Sequence, residues 1–213
     1  MSNADAEAVA ALDFVREEWL AFGNRLADFI TAADKEEKCL LLPLVAANLV
    51  LSMNSAEGYE AAKRHLARAK AMASGANARE RAWLAATEAW IAGETPVAQK
   101  ILEDLVAQWP RDLLAAKIGQ LHAFGHGDSE GILRIGERIV EANADNHYVW
   151  AMHAFGLEEC NRLDEAEAAA RKAIAMDRRD PWAHHAVAHC LEARGKMVEG
   201  VAFLTEMSDT WER

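Results

Sequence analysis

Gly93, Gly127, Asn161 and Gly195 stand at a constant spacing of 34 residues, and each closes an alanine-rich amphipathic stretch. Glycine and asparagine are the residues that tolerate the left-handed backbone of a helix C-cap. A recurrence of helix ends at fixed distance means one supersecondary unit repeated along the chain, each unit burying its apolar face against the next. The same register runs through Ala98, Ile132, Ala166 and Gly200, through Leu102, Gly136, Ala170 and Leu204, and through Leu105, Ile139, Ala173 and Met207. Small residues in the first of these columns let two helices approach closely, and larger ones in the third fill the seam between units.

Period and pattern resemble the tetratricopeptide repeat. Ala86, Ala154 and Ala188 match its small eighth position, Trp150 its aromatic fourth and Pro110 its proline at the thirty-second, while Gln120, Ile132 and Gly200 depart from it. The expected architecture is all-α, a right-handed superhelical solenoid of tetratricopeptide-like helix pairs. Four repeats are read at residues 79–112, 113–146, 147–180 and 181–213, preceded by an irregular helix pair at 36–78 and covering helices at 5–35, as one continuous domain. Phe14, Trp19, Phe22, Leu26, Phe29 and Ile30 give those covering helices their apolar spacing. Residues 1–4, with Ser2-Asn3-Ala4, read as an expression remnant.

Composition limits the function classes. A net charge of -11 argues against a nucleic-acid partner, and the basic run Lys63, Arg64, Arg68 and Lys70 reads as a solvated helix face. The longest uncharged run, Cys39 to Met53, is shorter than the roughly 20 residues of a membrane-spanning helix and contains Pro43 and Asn48. Cys39, Cys160 and Cys190 are odd in number and widely spaced, which suits free thiols in a reducing compartment. With no signal segment evident, the expectation is a cytoplasmic protein without cofactor or membrane partner.

The segments "AFGLEECNRLDEAEAAARKAI" and "RRDPWAHHAVAHCLEARGKMVEGVAFL", with "RERAWLAATEAW" and "WPRDLLAAKIGQLHAFGHGD" before them, resemble the tetratricopeptide-repeat protein 38 family over about residues 40–213. The resemblance implies the fold and no chemistry. Members of that family usually continue beyond this point. The last helix carries Val201, Phe203, Leu204, Met207 and Trp211, too much apolar surface for a polar cap, so a shortened chain, a naturally short member or a homodimer through this helix is expected.

In such arrays positions two, five, nine and twelve of each first helix line a concave groove. They fall at Glu80, Trp83, Thr87 and Trp90; at Leu114, Lys117, Leu121 and Phe124; at Tyr148, Ala151, Phe155 and Glu158; and at Trp182, His185, His189 and Glu192. An aromatic concavity suits capture of a peptide, a protein segment or a small ligand. Trp83, Trp90, Lys117, Leu121, Phe124, Tyr148, Phe155, Glu158, Trp182, His185, His189 and Glu192 are therefore the candidate contacts. Lys117 alone is of the kind that clamps a chaperone tail, so that partner is not expected. The second reading is that the chain's own N-terminal helices, or a missing C-terminal part, fill the groove, leaving a structural or oligomerisation role.

His185, His189 and Glu192 share one helix face, and two imidazoles a turn apart with a carboxylate are candidate metal ligands or an acid-base pair. Ala186 stands where a zincin would have glutamate, which argues against metalloprotease chemistry. The alternative is that these side chains bond to each other and to Glu158 and fix the groove floor. No phosphate loop or nucleophile elbow is present, so the leading expectation is a non-catalytic binding scaffold.

Overall fold

The computed structural model describes residues 5–211; the expression remnant expected at 1–4 lies outside them. The described residues form α-helices and two short 3-10 turns, with no strand among them. The chain is all-α. The helices gather into two compact units, where the repeat pattern alone suggests one continuous domain.

The first unit takes the described residues up to Trp19 together with Gly23–Trp109. Its helices are α1 (Ala6–Leu20), α2 (Leu26–Ala33), α3 (Leu41–Ser52), α4 (Ala56–Ala71), α5 (Ala78–Ile91) and α6 (Thr95–Gln108). Helix α3, the uncharged run, is buried on every side from Leu41 to Leu51. Asn48 is tolerated there because its side-chain amide donates to the Thr87 hydroxyl at 2.9 Å and to the Leu44 carbonyl at 2.7 Å. Helix α5 starts at a complete capping box, Asn77 accepting from the Glu80 amide while the Glu80 carboxylate accepts from that of Asn77.

The second unit takes Leu20–Phe22 and the described residues from Pro110 onward. It holds α7 (Leu113–His126), α8 (Ser129–Ala142), α9 (His147–Glu159), α10 (Leu163–Met176), α11 (Pro181–Ala193) and α12 (Met197–Met207). Helix α9 packs against α8, α10 and α11, and α11 packs against α9, α10 and α12, so α11 meets its own partner and both members of the preceding pair. That is how stacked pairs share one core. Ala154, Ala166, Ala170, Ala173, Ala183 and Val187 are all fully enclosed in it.

The caps follow the sequence. Gly93, Gly127, Asn161 and Gly195 all have positive φ, between +58° and +79°. Close packing explains a glycine of another kind: a Cβ on Gly156 would come within 2.6 Å of the Leu133 Cα, so α8 and α9 cross backbone to backbone. Gln120, which departs from the small-residue pattern, is buried beside this crossing and donates its amide hydrogens to the carbonyls of Ile132 and Met152, both at 3.0 Å.

Phe22 differs from its expectation. Helix α1 stops at Leu20, and Phe22 lies in the break before α2 with a left-handed backbone, φ +53°. The break has its own supports: Gly23 donates to the Glu18 carbonyl at 2.7 Å, and the Glu18 carboxylate accepts from the Arg25 backbone and guanidinium.

Candidate functional site

Trp182 and its surroundings begin with Asp180. Placed just before Pro181, it caps α11 by accepting from the amides of Trp182 and Ala183 at 3.0 and 3.1 Å. Its other oxygen lies 2.7 Å from His147 Nδ1 at the start of α9. A fully buried carboxylate thus joins the first turns of α9 and α11 and fixes where Trp182 sits.

Lys117 of α7 reaches the same place. Its ammonium lies 3.0 Å from the centroid of the Trp182 ring, and the residue is only 8% exposed. Cation–π attraction is strongest when the cation has been stripped of water. Desolvation by burial pulls the Lys117 pKa down to about 7, with the Asp180 charge opposing the fall.

Aromatic rings extend from Trp182. Phe155 lies 6.4 Å away and Phe124 a further 5.7 Å from Phe155. Phe124 is 54% exposed and Leu121 38%, which leaves an apolar face open to solvent. Phe22 stacks on Trp182 with centroids 4.4 Å apart and planes 23° apart. The Trp182 indole N–H is buried without a hydrogen-bond partner in the protein.

His185 and His189 follow on α11, their rings 4.2 Å apart. His189 Nδ1 lies 3.4 Å from one Glu158 oxygen, and the other Glu158 oxygen is buried with no partner. His185 is exposed overall, yet partial burial of its ring, with His189 and Lys117 nearby, holds its pKa below the usual value. Glu192 is solvent-exposed. Among the described residues no group of three His, Cys, Asp or Glu is placed to hold a metal ion.

Lys117, Phe155, Glu158, Trp182, His185 and His189 are therefore brought together, with Leu121 and Phe124 on the open side. Tyr148 is largely enclosed at 8% exposure, its ring 3.9 Å from that of His147 and tilted 44° to it. Trp83 and Trp90 belong to the first unit: Trp83 is 1% exposed, and Trp90 packs on the Ala47, Val50, Leu51 and Ala62 cluster. Asp180 carries an N-cap signature that sequence reading passes over. Phe22 offers no periodic signal of its role, because a ring delivered from a helix break shares no register with its target.

No family model matches the chain. Among solved structures it is similar to MamA, residues 41 to the end, from Desulfovibrio magneticus RS-1. That match has a TM-score of 0.55 and 15% identity, covering 76% of this chain and 91% of that one. MamA AMB-1 gives a TM-score of 0.53 at 19% identity, covering 78% and 96%, respectively. The fold is tetratricopeptide-like. At these identities the likeness bears on fold alone, and the helix pairs fit it: α7–α8, α9–α10 and α11–α12 fall one to a 34-residue register. No helix among the described residues is long and apolar enough to cross a membrane.

Proposed function

We propose that the α7–α9–α11 face of the second unit captures a segment of a polypeptide partner, and that the chain is a cytoplasmic, non-catalytic scaffold related to the tetratricopeptide-repeat protein 38 family. The observation that carries this reading is the run of rings Phe124, Phe155 and Trp182, open at Phe124 and bordered by Glu158, His185 and His189, with Lys117 buried against Trp182. Large rigid rings supply contact area at low entropy cost, and the polar rim orients what binds. A fold alone does not assign such a role, so the support rests on these residues. A photo-crosslinking amino acid in place of Phe124 should trap a distinct protein in cells, and the same group in place of exposed Tyr59 should not. Equal trapping at both positions would end the proposal.

A second association surface is proposed on α12. Met197, Val198 and Val201 are 57%, 85% and 65% exposed. One period earlier, Asp164 and Glu167 occupy the positions of Val198 and Val201, and both carboxylates hold Arg194 of the following helix pair at 2.6 Å. Val198 and Val201 thus occupy the register by which α10 meets its successor, with apolar side chains in place of charges. A homodimer through α12 should sediment as one, and Val198→Glu/Val201→Glu should return it to monomer; a monomeric wild type at tens of micromolar would refute it.

A further inference from the structure

We infer that the outer face of Trp182 is a subsite for a tyrosine side chain of the polypeptide partner, and that Phe22 is an internal stand-in which the partner displaces. This rests on the capture reading above and names the group captured. It starts from the two faces of the indole. The Lys117 ammonium sits 3.0 Å from the ring centroid and Phe22 stacks at 4.4 Å; spacings this short leave one face for each.

Phe22 fits its place poorly. Although stacked, it remains 61% exposed. Its backbone is held at φ +53°, a region unfavourable for a bulky side chain. Its hydrocarbon ring can satisfy neither the buried Trp182 indole N–H nor the buried second oxygen of Glu158, and neither atom has a hydrogen-bond partner in the protein. Phe155, flanking Trp182 at 6.4 Å, lies one helical turn from Glu158 on α9, so the apolar wall and the unpaired acceptor share one face.

A tyrosine ring answers the open indole face and the unpaired carboxylate oxygen together. A cation on one face of an indole withdraws π density and favours an electron-rich ring on the other, and a phenol is richer than a phenyl ring. The phenolic hydroxyl can donate to the unpaired carboxylate oxygen of Glu158, which a phenyl ring cannot do, whereas the indole N–H lies in its ring plane, out of reach of a group stacked on the face. Satisfying a buried unpaired polar atom also rejects ligands that cannot do so. A partner therefore gains what Phe22 leaves unused, and in displacing Phe22 it releases an unfavourable backbone conformation.

The test titrates acetyl-Gly-Tyr-Gly-amide, and its phenylalanine and leucine counterparts, into the full chain and into Phe22→Gly, following the Trp182 indole N–H resonance, assigned with Trp182→Phe. Phe22→Gly should bind the tyrosine peptide roughly tenfold tighter than wild type, because the internal competitor is gone. The phenylalanine peptide should bind several-fold more weakly and the leucine peptide not measurably. Phe22→Asn, which also suits a positive φ, should behave like Phe22→Gly, and both should melt within a few degrees of wild type. Equal affinity in wild type and both variants, no binding to any, or a melting loss of more than about ten degrees in both would overturn the inference, the last by making Phe22 part of the core. Selective crosslinking at position 124 with no tyrosine binding would refute this subsite and leave the capture reading standing.

Discussion

Lys117 shows what the site costs and what it needs. A lysine with its pKa lowered to about 7 by burial is bound less readily by protons in the folded chain than in the unfolded one. Unfolded lysine keeps its proton up to about pH 10.4, so stability rises with pH between about 7 and 10 and is lower below that window. Lys117→Met should therefore raise the melting temperature by several degrees at pH 7, with the gain shrinking toward pH 10; a pH-independent gain would contradict the assignment. Asp180 is the opposite case, a buried acceptor with partners on both oxygens. Asp180→Ala removes the α11 cap and the link to His147, and should cost about 2 kcal/mol or more in chemical denaturation. The 34-residue register places Lys117 on one helix face with Leu121 and Phe124 and leaves its contact with Trp182 illegible, because a register fixes which face a residue occupies and not which side chain it meets across helices.

Elements explain why part of the architecture can be read from sequence. Gly93, Gly127, Asn161 and Gly195 announce helix ends through the backbone geometry they permit, and all four adopt it. Gly127 has nothing near its missing Cβ, so Gly127→Ala should cost only backbone strain, on the order of 1 kcal/mol. Gly156 is different: a methyl group there strikes the backbone of Leu133, so Gly156→Ala should cost more, about 2 to 3 kcal/mol, by forcing α8 and α9 apart. If the two variants melt alike, the close crossing of α8 and α9 is not what Gly156 provides. Helical spacing misled at Phe22, where Trp19, Phe22 and Leu26 imitate one continuous stripe while the helix stops at Leu20. Trp83 and Tyr148 sit on groove positions yet are enclosed, since periodicity cannot distinguish a lining ring from one that neighbours cover.

Across the molecule, buried histidines set the response to acid. Burial lowers the pKa of His65 in the first unit and of His122, His153 and His184 in the second, that of His122 to about 4. At His184 the Nδ1 accepts from the Trp211 indole at 3.2 Å, which requires the unprotonated nitrogen, while the Arg178 carbonyl 2.8 Å from its Nε2 opposes the fall. Each lowered pKa contributes stability that is present above about pH 6.5 and is lost as pH falls through the folded value. The histidine contribution should thus be level above about pH 6.5, apart from the rise that Lys117 gives above pH 7, and thermal midpoints should decline from about pH 6.5 toward 4, with His122→Phe making that decline shallower; a midpoint unchanged down to pH 4 would contradict it. The central claim, that the α7–α9–α11 face is the working surface, is tested most directly by affinity capture from cell lysate, comparing wild type with Phe155→Ala/His189→Ala and identifying bound proteins by mass spectrometry. The account predicts a partner retained by wild type and lost from the variant while both proteins melt as folded chains; the same proteins bound to both, at equal yield, would contradict it.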